Sequence, residues 1–118
     1  MSHSVILFEN DHAIVVPEKS AISLGHLLVI SKQHFDDWFV TPPEVQKSMH
    51  DLLQQAHGWL LQQHKPDGFS MWSDCGEAAG QAVLHSHYDI IPRYTVDQTI
   101  PTGHSSDTEA LSKNFSNA

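Results

Sequence analysis

The stretch Gly80-Gln81-Ala82-Val83-Leu84-His85-Ser86-His87-Tyr88-Asp89-Ile90-Ile91-Pro92-Arg93 decides how this chain is read. It predicts a β-strand over residues 82–91, stopped by Pro92. Successive side chains of a strand point to opposite faces. Val83, His85, His87 and Asp89 then share one face, and Leu84, Ser86, Tyr88 and Ile90 share the other, where most of them can pack under a helix. Two imidazoles and a carboxylate stand in a row. One histidine in a strand is usually incidental; two at alternate positions, followed by a carboxylate, point to a functional site.

Upstream lies Asp74 to Gly80, a loop of small residues whose backbone N–H groups can turn toward an anion. Phe69 to Ser73 is a second predicted strand. Before it, Thr41-Pro42-Pro43-Glu44 opens the clearest helix, with Thr41 as N-cap and Glu44 completing a capping box. Val45, Met49, Leu52, Leu53, Ala56, Trp59 and Leu60 recur at helical spacing up to about His64, a stripe that packs against a sheet. Gly25 to Ser31 (GHLLVIS) is an apolar run that predicts a central strand. Val5 to Glu9 and His12 to Val16 are short β-rich runs around Asn10-Asp11, which predicts a hairpin. Pro17 to Leu24 reads as a loop. The order predicts an α+β domain, a mainly antiparallel sheet of about five strands with one long and one short helix. That domain occupies residues 1–95. Residues 96–118 form a polar tail that is flexible or docks on a partner subunit, with a short helix around Glu109 to Lys113.

The 118 residues suit one hydrophobic core, and the composition, 40% hydrophobic and 17% charged, is that of a globular chain. The apolar runs are too short to cross a bilayer. The start, MSHSVILFEN, lacks the basic segment of a signal peptide, and Cys75 is the lone cysteine, so a cytoplasmic location is expected. A formal net charge of −8 argues against a nucleic-acid or membrane partner. It also leaves few basic groups for an anionic ligand, which must rely on backbone N–H groups, histidines and the single arginine, Arg93. Of the ten histidines, His3, His12, His50, His57, His64 and His104 lie in polar segments that suit a solvated surface.

With those residues in view, GQAVLHSHYDIIPR resembles the signature of the histidine-triad (HIT) family, a Gly-Gln step followed by His-x-His-x-His. GHLLVISKQH, from Gly25 to His34, resembles that family's other hallmark, a Gly-His strand followed by a basic residue and a histidine. The resemblance spans roughly Val5 to Tyr94. It implies a nucleotide-phosphate hydrolase or transferase in which His87 attacks the α-phosphorus of a purine nucleotide or related substrate. His85 would orient neighbouring groups, and His26 would join the same cluster from an adjacent strand. Glu18 would hold the ribose hydroxyls; Asp74, Gly80 and Gln81 would line the phosphate site. Residues around Phe8 and from Ile22 to Leu28 would supply the base slot. No resident metal and no cofactor are implied, although a divalent metal can accompany the substrate. The resemblance also implies a homodimer formed through the long helix and the strand beside it.

Three departures matter. Asp89 replaces the third histidine, Asp74 stands where an amide is common, and Ala82 stands where a hydroxyl is common. An ionised Asp89 would repel a phosphate, by several kcal/mol at about 4 Å and intermediate dielectric. It must therefore be protonated, paired with a cation such as Arg93, or turned toward His85 or His87. Two other readings follow: a nucleotide-binding module without catalysis, and a metal site made by His85, His87 and Asp89. HSHYD is similar to the His-x-His-x-Asp-His motif of metallo-β-lactamase-like hydrolases, but Ile90 stands where that motif needs its last histidine.

Overall fold

The computed structural model describes residues 5–81 and 84–96. In chain order it contains β1 (Phe8–Glu9), β2 (Ala13–Pro17), β3 (Leu27–Ser31), α1 (Pro43–His64), β4 (Gly68–Trp72) and β5 (His87–Arg93). Short 3₁₀ turns cover Trp38–Val40 and Glu77–Ala79. The five strands form one sheet in the order β1-β2-β3-β5-β4, and each neighbouring pair is antiparallel. This is the expected α+β architecture with one long helix. The helix expected around residues 109–113, and residues Ala82 and Val83, lie outside the described residues.

The hairpin forms where Asn10 allows it. Its side-chain oxygen accepts from the N–H groups of His12 and Ala13 at 3.2 and 3.0 Å, which closes the turn locally. The first strand is shorter than Val5 to Glu9, because only Phe8 and Glu9 pair, with Val15 and Ile14.

The α1 stripe buries Val45, Met49, Leu52, Leu53, Ala56 and Leu60 against Ala13, Val15, Leu27, Val29 and Ile90 of the sheet. The capping box at its start does not form. Pro42 is the N-cap and uses only its carbonyl, which accepts from Val45 and Gln46 N–H. Thr41 closes the preceding turn, and its hydroxyl donates to the Asp37 carbonyl at 2.7 Å.

All five residues of β3 are buried. Leu27 and Val29 face α1, whereas Leu28 and Ile30 join Val16 and Ile14 in a second apolar cluster on the opposite face. A strand buried on both sides reads as a continuous apolar run rather than an alternating one.

The last strand departs most from expectation. It runs from His87 to Arg93, not over 82–91, and Pro92 lies inside it. β3 pairs with β5 only as far as Ile90, whereas β4 pairs along it to Arg93. Beyond Ile90 the strand has a neighbour on one side only, the setting in which a proline without an N–H is tolerated. Leu84 and His85 precede the strand, and Leu84 is exposed rather than packed under the helix.

Candidate active site

Register places His87 opposite Ile30, and Asp89 between Leu28 and Trp72. Both side chains therefore lie on the sheet face away from α1. Asp89 is buried, and each of its oxygens has an imidazole neighbour: His26 Nε2 is 2.7 Å from Oδ2, and His87 Nε2 is 3.4 Å from Oδ1. The expected row of three is replaced by an acid between two bases, His26–Asp89–His87.

The other ring nitrogens decide what each histidine can do. His26 Nδ1 accepts from the Ile22 N–H at 3.3 Å, so its Nε2 carries the hydrogen and donates it to Asp89. His87 is held the opposite way. Its Nδ1 lies 2.9 Å from the His85 carbonyl, which can only accept, so Nδ1 carries the hydrogen. In neutral His87 the lone pair is then on Nε2, beside the Asp89 carboxylate. That carboxylate holds the His87 imidazole above its ordinary pKa, against burial, which pushes it down; the His85 carbonyl and the Asp74 carboxylate add to the upward shift. For Asp89, burial pushes the carboxyl up, but the hydrogen bonds from His26 and His87 outweigh it and hold the group below its ordinary value. Asp89 is thus ionised, with His26 donating to Oδ2 and His87, in its protonated form, donating to Oδ1. Arg93 points elsewhere, with its Nε donating to Ser70 Oγ at 3.0 Å.

His85 enters the site through its backbone and not through its ring. Its Nε2 donates to the Ser31 carbonyl at 2.7 Å, and its ring meets His34 edge to face at 5.3 Å. The expected metal set of His85, His87 and Asp89 is therefore not assembled. Among the described residues, Glu18, His26 and Asp89 bring ligand atoms within 4.8 Å of one another. However, the hydrogen on His26 Nε2 leaves that nitrogen no lone pair for an ion while Ile22 N–H occupies Nδ1. Glu18 lies beside the cluster, and its carboxylate also accepts from the Ser20 N–H at 3.1 Å.

The loop does not form the expected anion cradle. Gly76 N–H donates to Gln81 Oε1, Ala79 and Gln81 N–H donate to the Gly76 carbonyl, and Gly80 N–H donates to the Glu77 carbonyl. Gly76 and Gly80 adopt the positive φ angles, 91° and 95°, that turn the chain back on itself. Gln81 is buried, and its amide also donates to the Asp36 carbonyl at 2.6 Å. It braces the loop instead of lining a phosphate site. The base-slot assignment also changes at Phe8, which packs on the α1 side against Trp59 with ring centroids 6.0 Å apart. His57 and His64 are half-buried against Phe69 and Trp59 rather than solvated.

The model of the HIT domain matches residues 1–96. The chain belongs to the HIT family. It is similar to Protein hit of Bacillus subtilis, with 31% identity over 91 residues that cover 77% of this chain and 63% of that protein. It is also similar to the adenylylsulfatase HINT3 of Arabidopsis thaliana, with 32% identity over 87 residues that cover 74% of this chain and 44% of that one. The chain thus spans less than two thirds of both relatives. Among solved structures, a hypothetical histidine triad nucleotide-binding protein from Sulfolobus tokodaii superposes with a TM-score of 0.74. Its identity is 27%, covering 78% of this chain and 62% of that one. No helix of the described residues is long and apolar enough to cross a membrane.

Proposed function

We propose that this HIT domain is a nucleotide-phosphate hydrolase or transferase whose nucleophile is His87 Nε2. The observation that carries the reading is the hydrogen bond from His87 Nδ1 to the His85 carbonyl, which puts the reactive lone pair on Nε2. Family membership supports nucleotide hydrolase or transferase chemistry in general. The substrates we assign are a nucleoside phosphoramidate or a dinucleoside polyphosphate, with Glu18 on the ribose.

In the first step the Nε2 lone pair forms an N–P bond at the α-phosphorus. The bond from phosphorus to the leaving group breaks, and the leaving group departs with that electron pair and takes up a proton. Water then attacks the same phosphorus, N–P cleavage returns the electron pair to Nε2, and a nucleoside monophosphate leaves. Asp89, being ionised, does not donate to the phosphate as a third histidine would. It orients His87 and stabilises its charged form. Because the charged form is not nucleophilic, turnover rises with pH through the elevated His87 pKa.

The working unit is a cytoplasmic homodimer that needs no cofactor of its own. Edge strand β4 exposes Met71 beside a cavity of about 460 Å³ lined by Trp38, Leu53, Met71 and Tyr88, which suits pairing through α1 and β4. A solution mass of 13.2 kDa by light scattering refutes the dimer.

The test is mass spectrometry of the protein quenched during reaction with adenosine phosphoramidate or a dinucleoside polyphosphate. A nucleotidyl adduct on His87 is expected. Turnover with an adduct elsewhere overturns the mechanism, and nucleotide binding without turnover favours a module that binds without catalysis.

A further inference from the structure

Ser86, between the two histidines, is wholly buried and polar. Its Oγ lies 2.7 Å from Thr41 Oγ1, which in turn lies 2.7 Å from the Asp37 carbonyl. The Thr41 hydroxyl thus has two acceptors at that distance, the Asp37 carbonyl and Ser86 Oγ, and the Ser86 hydroxyl donates in turn to Met49 Sδ at 3.8 Å. The Ser86 backbone is tied to the same part of the chain. Its N–H donates to the Phe35 carbonyl at 2.7 Å, and its carbonyl accepts from Ser31 N–H at 3.3 Å. Residue 86 is thus fastened at two points to the connection between β3 and α1, and at a third to Ser31, the last residue of β3.

The consequence falls on His87. The His85 carbonyl and the Ser86 N–H belong to one planar trans peptide and point in opposite directions. Fixing the N–H on Phe35 therefore aims the carbonyl, and that carbonyl holds His87 Nδ1–H at 2.9 Å. From this geometry we infer that Ser86, backed by Thr41, is a positioning residue that sets the tautomer and ring orientation of His87. An apolar side chain would fill the space against Met49 equally well. The hydroxyl adds direction, because it accepts from Thr41 and donates to Met49 Sδ, which apolar packing cannot supply.

This inference rests on His87 being the nucleophile, so its test reads the ring and the reaction separately. Ser86→Ala, Thr41→Val and Thr41→Ser are compared with the unmutated chain by ¹⁵N NMR of the His87 ring and by kcat and KM for adenosine phosphoramidate. Ser86→Ala is expected to reduce the share of His87 in the Nδ1–H tautomer and to lower kcat about tenfold with KM unchanged. Thr41→Val should do the same, and Thr41→Ser should restore both readings; this pair carries the test if Ser86→Ala does not fold. A lower melting temperature with unaltered tautomer and kcat would show that Ser86 is only structural. If the unmutated chain turns nothing over, the functional reading fails, and the NMR comparison still decides whether Ser86 positions the ring.

Discussion

The two faces of the sheet divide the molecule's tasks. Under α1, apolar side chains meet apolar side chains: Ala13, Val15, Leu27, Val29 and Ile90 against Met49, Leu52, Ala56 and Leu60. On the other face an apolar patch, Val16, Leu28 and Ile30, adjoins the polar set His26, Asp89 and His87. Burial without charge on one side gives stability that is nearly independent of pH. Buried charge on the other makes both stability and reactivity depend on protonation.

The largest effect expected from this division is on the reactive side. His87→Ala should lower turnover roughly a thousandfold or more and abolish the protein adduct, with the thermal transition little changed. A large loss of folding at that substitution would break the division. Leu60→Ala, in the α1 core and fully buried, should cost about 2–5 kcal/mol in denaturant unfolding. Its kcat, measured where the chain is still folded, should match the unmutated value.

Asp89→Asn acts on both. The elevated His87 pKa means a contribution to stability that is complete below the unfolded value, about 6.5, and fades as pH rises through the folded one. The lowered Asp89 pKa means a contribution present above about 3.9 and lost as pH falls through its folded value. The stability difference between the unmutated chain and Asp89→Asn should therefore peak between about pH 4 and 6.5, as followed by thermal melts across pH. The rise of turnover with pH should also move to lower pH in the variant, and an unmoved profile would separate Asp89 from His87. The smallest effect is expected on the outer surface of α1. Lys47→Ala removes an exposed i,i+4 pair with Asp51 at 3.0 Å and should change stability by less than about 0.5 kcal/mol.

Much of the helix-covered face was legible because periodicity is a local signal. Spacing alone identified the α1 stripe and the continuous run of β3. The start of α1 was misread because Thr41, a good capping residue, makes a tertiary bond to Ser86, 45 positions away. The site was legible in its members but not in its arrangement. Alternation put His85, His87 and Asp89 on one face, whereas His85 precedes β5 and its ring turns to the Ser31 carbonyl at the end of β3. Gly76, Gly80 and Gln81 marked a special loop, yet nothing local showed that its N–H groups would turn inward.

The sequence by itself determined an α+β sheet-and-helix domain of the HIT type, with His87 and Asp89 on one strand and His26 immediately before its neighbour. Those conclusions need only short-range patterns and motif order. The tertiary structure alone decided that Asp89 lies between two imidazoles held in opposite tautomers. That arrangement depends on Ile22 N–H, the His85 carbonyl and a contact between residues 63 positions apart. Hydrogen-bond direction at a buried charge is set by every group converging on it, and convergence is a property of the fold.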